Sequence, residues 1–265
     1  MSTPHFFIDK TIPGNLGDHI SIEMSKNIMV HLDTLRMSIG ESLVLIDRPG
    51  HAYKLKLTMT PNKRKAVIEG LLMEELISER TTNLTLVQGI SAADRMDQTI
   101  RQVTELGVSR IIPFENERST IQLNNETREK KQSRWQRLAV SAAEQSAQLM
   151  YPTVEYPKRL AEVVDELSSY DLALFFWEES VRSLSWVLRE HQGLFDNNLR
   201  HSGLKEARIA ILIGSEGGFS QTEARCLIDN GAKEVSLGRT ILRTETAAVV
   251  ACALILYQLG ALGGS

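Results

Sequence analysis

The sequence predicts an α/β protein, with a small N-terminal β-barrel over residues 1–73 and a larger α/β domain over residues 74–265. Three observations carry this expectation. Up to about residue 73, short strand-like runs are separated by turn-forming residues. Beyond it, apolar strand runs alternate with amphipathic helical patterns, as in a mostly parallel sheet covered by helices on both faces. Two of the later strands run into glycine-bearing turns that open helices, one at Gly214–Gly218 and one at Gly238.

Composition narrows the class. The chain has 265 residues, 42% apolar and 24% charged, which is enough apolar material for one large or two ordinary folded domains. The net charge of −3 provides no global basic field, so any nucleic-acid contact must come from local patches. Residues 1–73 carry nine Lys and Arg against seven Asp and Glu, a mild basic excess that suits a docking domain. The opening "MSTPHFFIDK" lacks the basic and apolar regions of a signal peptide, and the apolar run Ala247–Tyr257 is too short to cross a bilayer. Cys226 and Cys252 have no His or Cys at metal-ligand spacing. They are expected to be reduced, buried thiols of a cytoplasmic, metal-free protein.

In chain order, "HFFID", "SLVLID", "AYKLKLTM" and "KAVIEGLLM" read as strands, and "AYKLKLT" alternates with period two. Turns fall at "IPGNLGD", "DRPGH" and "TPNKRK". Between them, Ile28, Leu32 and Leu35 recur at helical spacing, with Gly40 as the stop. After an acidic linker, "EELISER", come a buried strand "NLTLVQGI" and a helix striped by Met96, Ile100, Val103 and Leu106 and closed by Gly107. Next are the strand "VSRIIPFE", a long helix over 127–148, the strand "DLALFFW" and a helix over 179–191. The polar stretch 191–207 reads as an exposed loop. The strand "RIAILIG", a helix over 221–230, the strand "EVSLG" and a last apolar helix complete the chain.

The chemistry gathers at the two glycine turns. In "IAILIGSEGGFSQTEA", Ser220 and Glu223 have capping-box spacing, while Gly214, Gly217 and Gly218 allow positive φ and close approach of a ligand. Neither the Walker nor the G-x-G-x-x-G pattern is present, and Glu216 would repel phosphates. A ligand without phosphate fits better; a plain tight turn is the competing reading. The second turn, "VSLGRTILRTETA", offers a facing wall whose backbone groups suit an adenine edge. Thr244 is the expected N-cap of the last helix, with Glu245 in its first turn. Arg243 is different, because a cation is disfavoured at a helix N-terminus; it stands out as a site candidate.

Together, "IGSEGGFSQTE", "LGRTILRTETA", "TELGVSRIIPFENERS" and "RWQRLAVSAAEQS" resemble the RsmE family of 16S ribosomal RNA (uracil-N3) methyltransferases, in the SPOUT superfamily. "HLDTLRMSIGE" is similar to that family's PUA-like RNA-binding barrel. The resemblance implies a deep C-terminal trefoil knot, S-adenosyl-L-methionine (SAM) held in the knot loops, and a homodimer packed through knot helices. By motif it carries cofactor binding onto Phe176, Ile213, Gly214, Glu216, Gly217, Gly218, Leu237, Gly238, Ile241, Leu242, Thr246 and Ala247, with Trp177 beside Phe176. It places Arg243 to Thr246 beside the methyl group; from the chemistry of a uracil N3 that must lose its proton, Arg243 is expected to stabilise the uracil oxygens and Glu245 to orient Arg243. It implies RNA contacts at His5, Arg36, Arg95, Arg118 and Gln145. The basic residues Arg128, Lys130, Lys131, Arg134 and Arg137 read either as an RNA stripe or as the solvated face of a helix.

The chain departs from the family pattern at His5, Ala92, Gln102 and Gln148, where cations are usual, and at Ser215, where proline is usual. Fewer cations mean fewer phosphate contacts. Two other readings therefore stand beside the first: a SPOUT methyltransferase with another RNA target, and a non-catalytic RNA-binding assembly factor.

Overall fold

The computed structural model describes residues 3–47, 50–60, 67–76, 83–119, 121–195 and 207–263. Contacts divide the chain into two compact units, residues 1–79 with 143–150 and residues 80–142 with 151–265.

In the first unit, strands β1 (His5–Phe7), β2 (His19–Glu23), β3 (Ser42–Ile46), β4 (Ala52–Leu57) and β5 (Val67–Leu76) form a sheet in the order β1-β3-β4-β5-β2. β1 runs parallel to β3, and the remaining pairings are antiparallel. A register shift at Lys54/Leu55 interrupts the period-two burial of β4. β2 is absent from the sequence reading, although "HISIE" alternates exposed and buried residues throughout. Five residues between turn signals are easily absorbed into the turns. β5 continues through Glu74 and Glu75, where a linker is expected, because pairing with β4 extends it to Leu76.

Helix α1 (Lys26–Thr34) is capped by Ser25, whose hydroxyl accepts from the Ile28 N–H, and buries Met29 and Leu32. It stops at Arg36, in the left-handed region at φ 52°, not at Gly40. Phe6, Leu43, Leu45, Leu55, Leu57, Ile68 and Leu72 complete this core.

The second unit holds a seven-stranded sheet in which every pairing is parallel. Its strands are β6 (Asn83–Gly89), β7 (Arg110–Glu115), β8 (Thr153–Val154), β9 (Lys158–Arg159), β10 (Leu172–Phe176), β11 (Arg208–Ile213) and β12 (Lys233–Val235). The order is β12-β10-β11-β6-β7-β8, with β9 also on β7. β10 is buried along its whole length, as expected when both faces are covered.

On one face, Leu84, Leu86, Leu174 and Ile211 meet Met96, Ile100 and Val103 of α2 (Ala93–Glu105), and Trp135 and Ala139 of α3 (Asn125–Gln145). Ala248, Ala251, Cys252 and Ile255 of α7 (Thr244–Gln258) close that side. On the other face, Val87, Ile112, Phe175 and Leu212 meet Val163 of α4 (Leu160–Glu166) and Ala224 and Leu227 of α6 (Gln221–Asp229). α4 falls in a stretch that the sequence reading leaves unassigned. α5 (Leu184–Glu190) is shorter than the expected 179–191, because Ser183 caps it at Trp186 N. Gln192–Phe195 forms a 3-10 turn that buries Phe195, so the expected loop begins with structure; residues 196–206 lie outside the described residues.

The two cysteines differ. Cys252 is fully buried and its thiol is pushed up by desolvation, whereas Cys226 is exposed on α6 and not buried as expected. Among the described residues, no helix is long and apolar enough to cross a membrane, and no cluster of His, Cys, Asp and Glu is arranged to hold a metal.

Candidate functional site

A parallel sheet brings the carboxyl ends of its strands to one edge, where the chain turns from strand to helix. At that edge the residues after β10, β11 and β12 enclose a cavity of about 400 Å³. Its walls are Phe176 and Glu178, the turn Ile213–Gly218, and Ile241–Thr244 with Ala247. A smaller recess of about 110 Å³ adjoins it, lined by Trp177, Ser236, Leu237 and Thr240 as well as shared residues.

The glycine turn exists because side chains would not fit. A Cβ on Gly214 would lie 2.9 Å from the Gly218 carbonyl carbon, and one on Gly217 would lie 2.6 Å from the Arg118 Cβ. Only Gly218 of the three has positive φ, at 65°; close approach is what requires the other two. The residues after β7 clamp this turn. Asn116 Nδ2 donates to the Gly218 carbonyl at 2.7 Å, and Arg118 Nη1 donates to the Gly217 carbonyl at 3.2 Å. The expected capping box is present: Glu223 N donates to Ser220 Oγ at 3.1 Å, and Ser220 N donates to Glu223 Oε2 at 2.8 Å. The other oxygen of Glu223 accepts from the Glu117 N–H at 2.8 Å.

The start of α7 differs from expectation. Arg243, not Thr244, is the N-cap residue, with φ −64° and ψ 152°. Thr244 is already helical, and its hydroxyl is committed elsewhere: it donates to the Gly214 carbonyl at 2.6 Å and accepts from Gln88 Nε2 at 2.9 Å. Arg243 is exposed and lines the cavity. Glu245 is buried and, among the described residues, makes no ion pair with Arg243 and has no partner for its Oε2. Two further charge pairs border the glycine turn. Arg95 Nη1 lies 3.0 Å from Glu216 Oε1, which also accepts from the Ala92 N–H at 2.9 Å. Arg118 Nη1 lies 3.9 Å from Glu178 Oε1.

Residues 78–256 match the RNA methyltransferase domain family. The chain belongs to that family. It is 27% identical over 236 residues to the ribosomal RNA small subunit methyltransferase E of Bacillus subtilis, covering 88% of each chain. With the protein of the same name from Aquifex aeolicus, it shares 28% identity over 247 residues, 92% of this chain and 96% of the other. Among solved structures, it resembles the ribosomal RNA small subunit methyltransferase E of Neisseria gonorrhoeae bound to S-adenosyl methionine. That match has a TM-score of 0.79 and 29% identity, covering 97% of this chain and 98% of that one. A Legionella pneumophila protein solved in complex with SAM matches with a TM-score of 0.77 and 25% identity over 97% of this chain and 98% of that one.

Within this RNA methyltransferase, most residues expected to hold a cofactor meet at one place. Phe176, Ile213, Gly214, Glu216, Gly217, Gly218, Ile241, Leu242 and Ala247 line the larger cavity, and Leu237 lines the recess. Gly238, at φ 115° and bonded through its N–H to Ser236 Oγ, and the exposed Thr246 line neither. Ser215 and Thr240, within the expected cofactor loops, also stand in the walls; sequence reasoning missed Glu178 there, and Gln88 and Asn116 behind them. Gln88 left a signal, a polar residue in the face that Leu84 and Leu86 begin.

Most of the candidate RNA residues are occupied. Arg95 lines the cavity and Arg118 braces its glycine turn, each with the partner given above. Arg36 is exposed, as is Gln145 at the end of α3. His5 is buried, hydrogen-bonded to the Thr3 carbonyl at 2.9 Å and shifted down by desolvation, so it offers a phosphate no charge near neutral pH. The basic stripe on α3 breaks up. Arg128 is buried, pairs with Glu115 and donates to the Pro157 carbonyl at 2.9 Å. Arg134 pairs with the buried Asp97, and Lys131 lies over the Trp135 ring. Gln102 is half-buried on α2, and Gln148 follows the end of α3.

Proposed function

We propose that this chain is a SAM-dependent methyltransferase that modifies N3 of a uridine in small-subunit ribosomal RNA. The observation that carries the proposal is the cavity shared by the glycine turn and the start of α7, in a chain similar from end to end to proteins of that name. The residues present fit SAM. Glycine at 217 and 218 lets the turn pack directly against Arg118 and the Glu178 carboxylate, and Phe176, Ile213, Ile241, Leu242 and Ala247 provide apolar walls for adenine. Glu178 and Glu216 disfavour phosphate and suit a ligand bearing a positive sulfonium. The Ser215 hydroxyl, buried and unpartnered, supplies a polar group at the turn.

When bound, the sulfonium supplies an electrophilic methyl group. The chain's own residues must then align a uracil and favour its anion, because N3 carries a proton and is a poor nucleophile until that proton leaves. Arg243 suits the second task. It is exposed at the cavity with no carboxylate partner among the described residues, so its guanidinium is free to meet the O2 or O4 oxygen that gains charge. Glu245, one residue into the helix with an unpartnered oxygen, is proposed to orient Arg243 once the base is bound.

The same reading takes the first unit as a PUA-like RNA-binding barrel and the end of the second as a trefoil knot. Favouring the knot, the chain leaves β12 at one edge of the sheet, runs along the cavity, and returns as α7 packed on β6 and β11. A homodimer through these helices is consistent with the exposure of Leu254 and Tyr257 on α7; a single-chain mass by light scattering would contradict it. A ribosomal RNA substrate makes the working site cytoplasmic. The test is to map N3-methyluridine in small-subunit RNA from a strain lacking this chain. Loss of one modified uridine is expected; persistence of all of them excludes this target and leaves another RNA site or a non-catalytic role.

A further inference from the structure

We infer that Gln88 is a positioning residue. Through the Thr244 hydroxyl it locks the glycine turn and the start of α7 into one unit, so that the cofactor wall and Arg243 are set by the same three-member hydrogen-bond relay. The inference rests on the proposed function only for its catalytic consequence.

Gln88 lies in the central strand β6, opposite Ile213 of β11 and Pro113 of β7. Leu84 and Leu86, four and two residues before it, point into the core shared with α7. Period two places Gln88 on that same face, and it is fully buried. An amide there costs free energy unless it is bonded; Gln88 Nε2 donates twice, to the Gly89 carbonyl at 3.0 Å and to Thr244 Oγ1 at 2.9 Å, while among the described residues Oε1 has no partner.

The chemistry of these groups fixes the direction of the relay. An amide nitrogen only donates, so the Thr244 hydroxyl must accept from Gln88, and its one hydrogen is left for the Gly214 carbonyl at 2.6 Å. Turning the amide over would set Gln88 Oε1 against the Gly89 carbonyl, which also only accepts. One amide orientation therefore matches donor to acceptor along the relay from β6 through α7 to the turn. Gly214 lines the cavity, and Arg243 directly precedes Thr244. With no exposed member able to exchange its partner for water, displacement of the turn and displacement of Arg243 are coupled.

Hydrogen exchange on the cofactor-free, full-length chain tests this without any turnover. Thr244→Val keeps the side-chain volume and removes the hydroxyl; Gln88→Met keeps the length and removes the donor. Each is expected to speed exchange about fivefold in both segments 214–219 and 239–247, as loss of one hydrogen bond would. Thr244→Ser, which retains the hydroxyl, should restore slow exchange in both. The double variant Gln88→Met/Thr244→Val should exchange no faster than either single one, because both cut the same relay. Faster exchange in one segment alone, additive effects, or a Thr244→Ser variant as fast as Thr244→Val would overturn the inference, and the Thr244 pair decides even if Gln88→Met does not fold. Calorimetry with SAM on the native chain separates the two claims: coupled exchange in a protein that binds no SAM sinks the proposed function and leaves the relay standing.

Discussion

Arg95 and Glu216 form a pair 3.0 Å apart at the mouth of the cavity, and the same carboxylate oxygen accepts from the Ala92 N–H. A guanidinium already matched by a carboxylate adds little to a phosphate site. Arg95→Ala is therefore expected to leave the salt dependence of RNA binding nearly unchanged and to weaken SAM binding by about fivefold or less, the range of a half-exposed pair. Arg36→Ala, at an exposed guanidinium of the first unit, should flatten the slope of log affinity against log salt by about 0.7. Fluorescence anisotropy across a salt series reads both.

Arg243 caps α7 with its backbone and makes no side-chain cap bond, so its side chain is not spent on stability. Arg243→Ala should lower turnover by about 100-fold or more, the scale of losing one charge-stabilising group. Its melting temperature should stay within about 2 °C of the native value. Near-normal methylation by that variant would remove Arg243 from the mechanism.

Gly217→Ala tests the cradle by steric means. The added methyl would sit 2.6 Å from the Arg118 Cβ and 2.8 Å from its carbonyl oxygen, so the turn or the segment after β7 must move. Overpacking of this kind costs about 1–3 kcal/mol. The expected result is SAM affinity reduced at least tenfold by calorimetry, with the helical circular dichroism unchanged.

Glu223 serves two backbone donors from a buried position, closing the capping box on Ser220 and holding the Glu117 N–H. Glu223→Ala leaves both donors unmatched and should cost about 2 kcal/mol. In a protein of this size that corresponds to a fall of about 4–8 °C in melting temperature, measurable by calorimetry.

His5 gives a pH dependence of definite sign. Burial holds its imidazole below the ordinary value near 6.5, so the unfolded chain binds its proton first as pH falls. Stability from this group is complete above about 6.5 and is lost as pH drops from there through the lowered folded value. His5→Phe should remove that loss, which urea melts of both proteins between about pH 7 and pH 5 would detect as a native midpoint that falls relative to the variant's.

The second unit was largely legible because its strands are uniformly apolar and its helices amphipathic. Met96, Ile100 and Val103 lie on the expected stripe, and Ser220 and Glu223 form the expected capping box. What escaped is what depends on tertiary partners. The Thr244 hydroxyl could cap its own helix locally, yet it is used 30 residues away on Gly214. The cations of α3 read as one stripe by spacing, but Arg128 and Arg134 turn to Glu115 and Asp97 on other elements. β2 was lost because its five residues carry a clean alternation too short to separate from the turns around it. Glu178, one residue beyond Trp177, entered the cavity wall only because β10 brings its carboxylate against Gly218.

The central claim is that one cavity, built by Ile213–Gly218 and the start of α7, holds the methyl donor beside Arg243. A crystal structure of the chain grown with SAM tests it most directly. The adenosyl group is expected between the glycine turn and residues 237–242, with the methyl directed toward Arg243. A donor bound elsewhere, or a cavity that stays empty at saturating SAM, would contradict it.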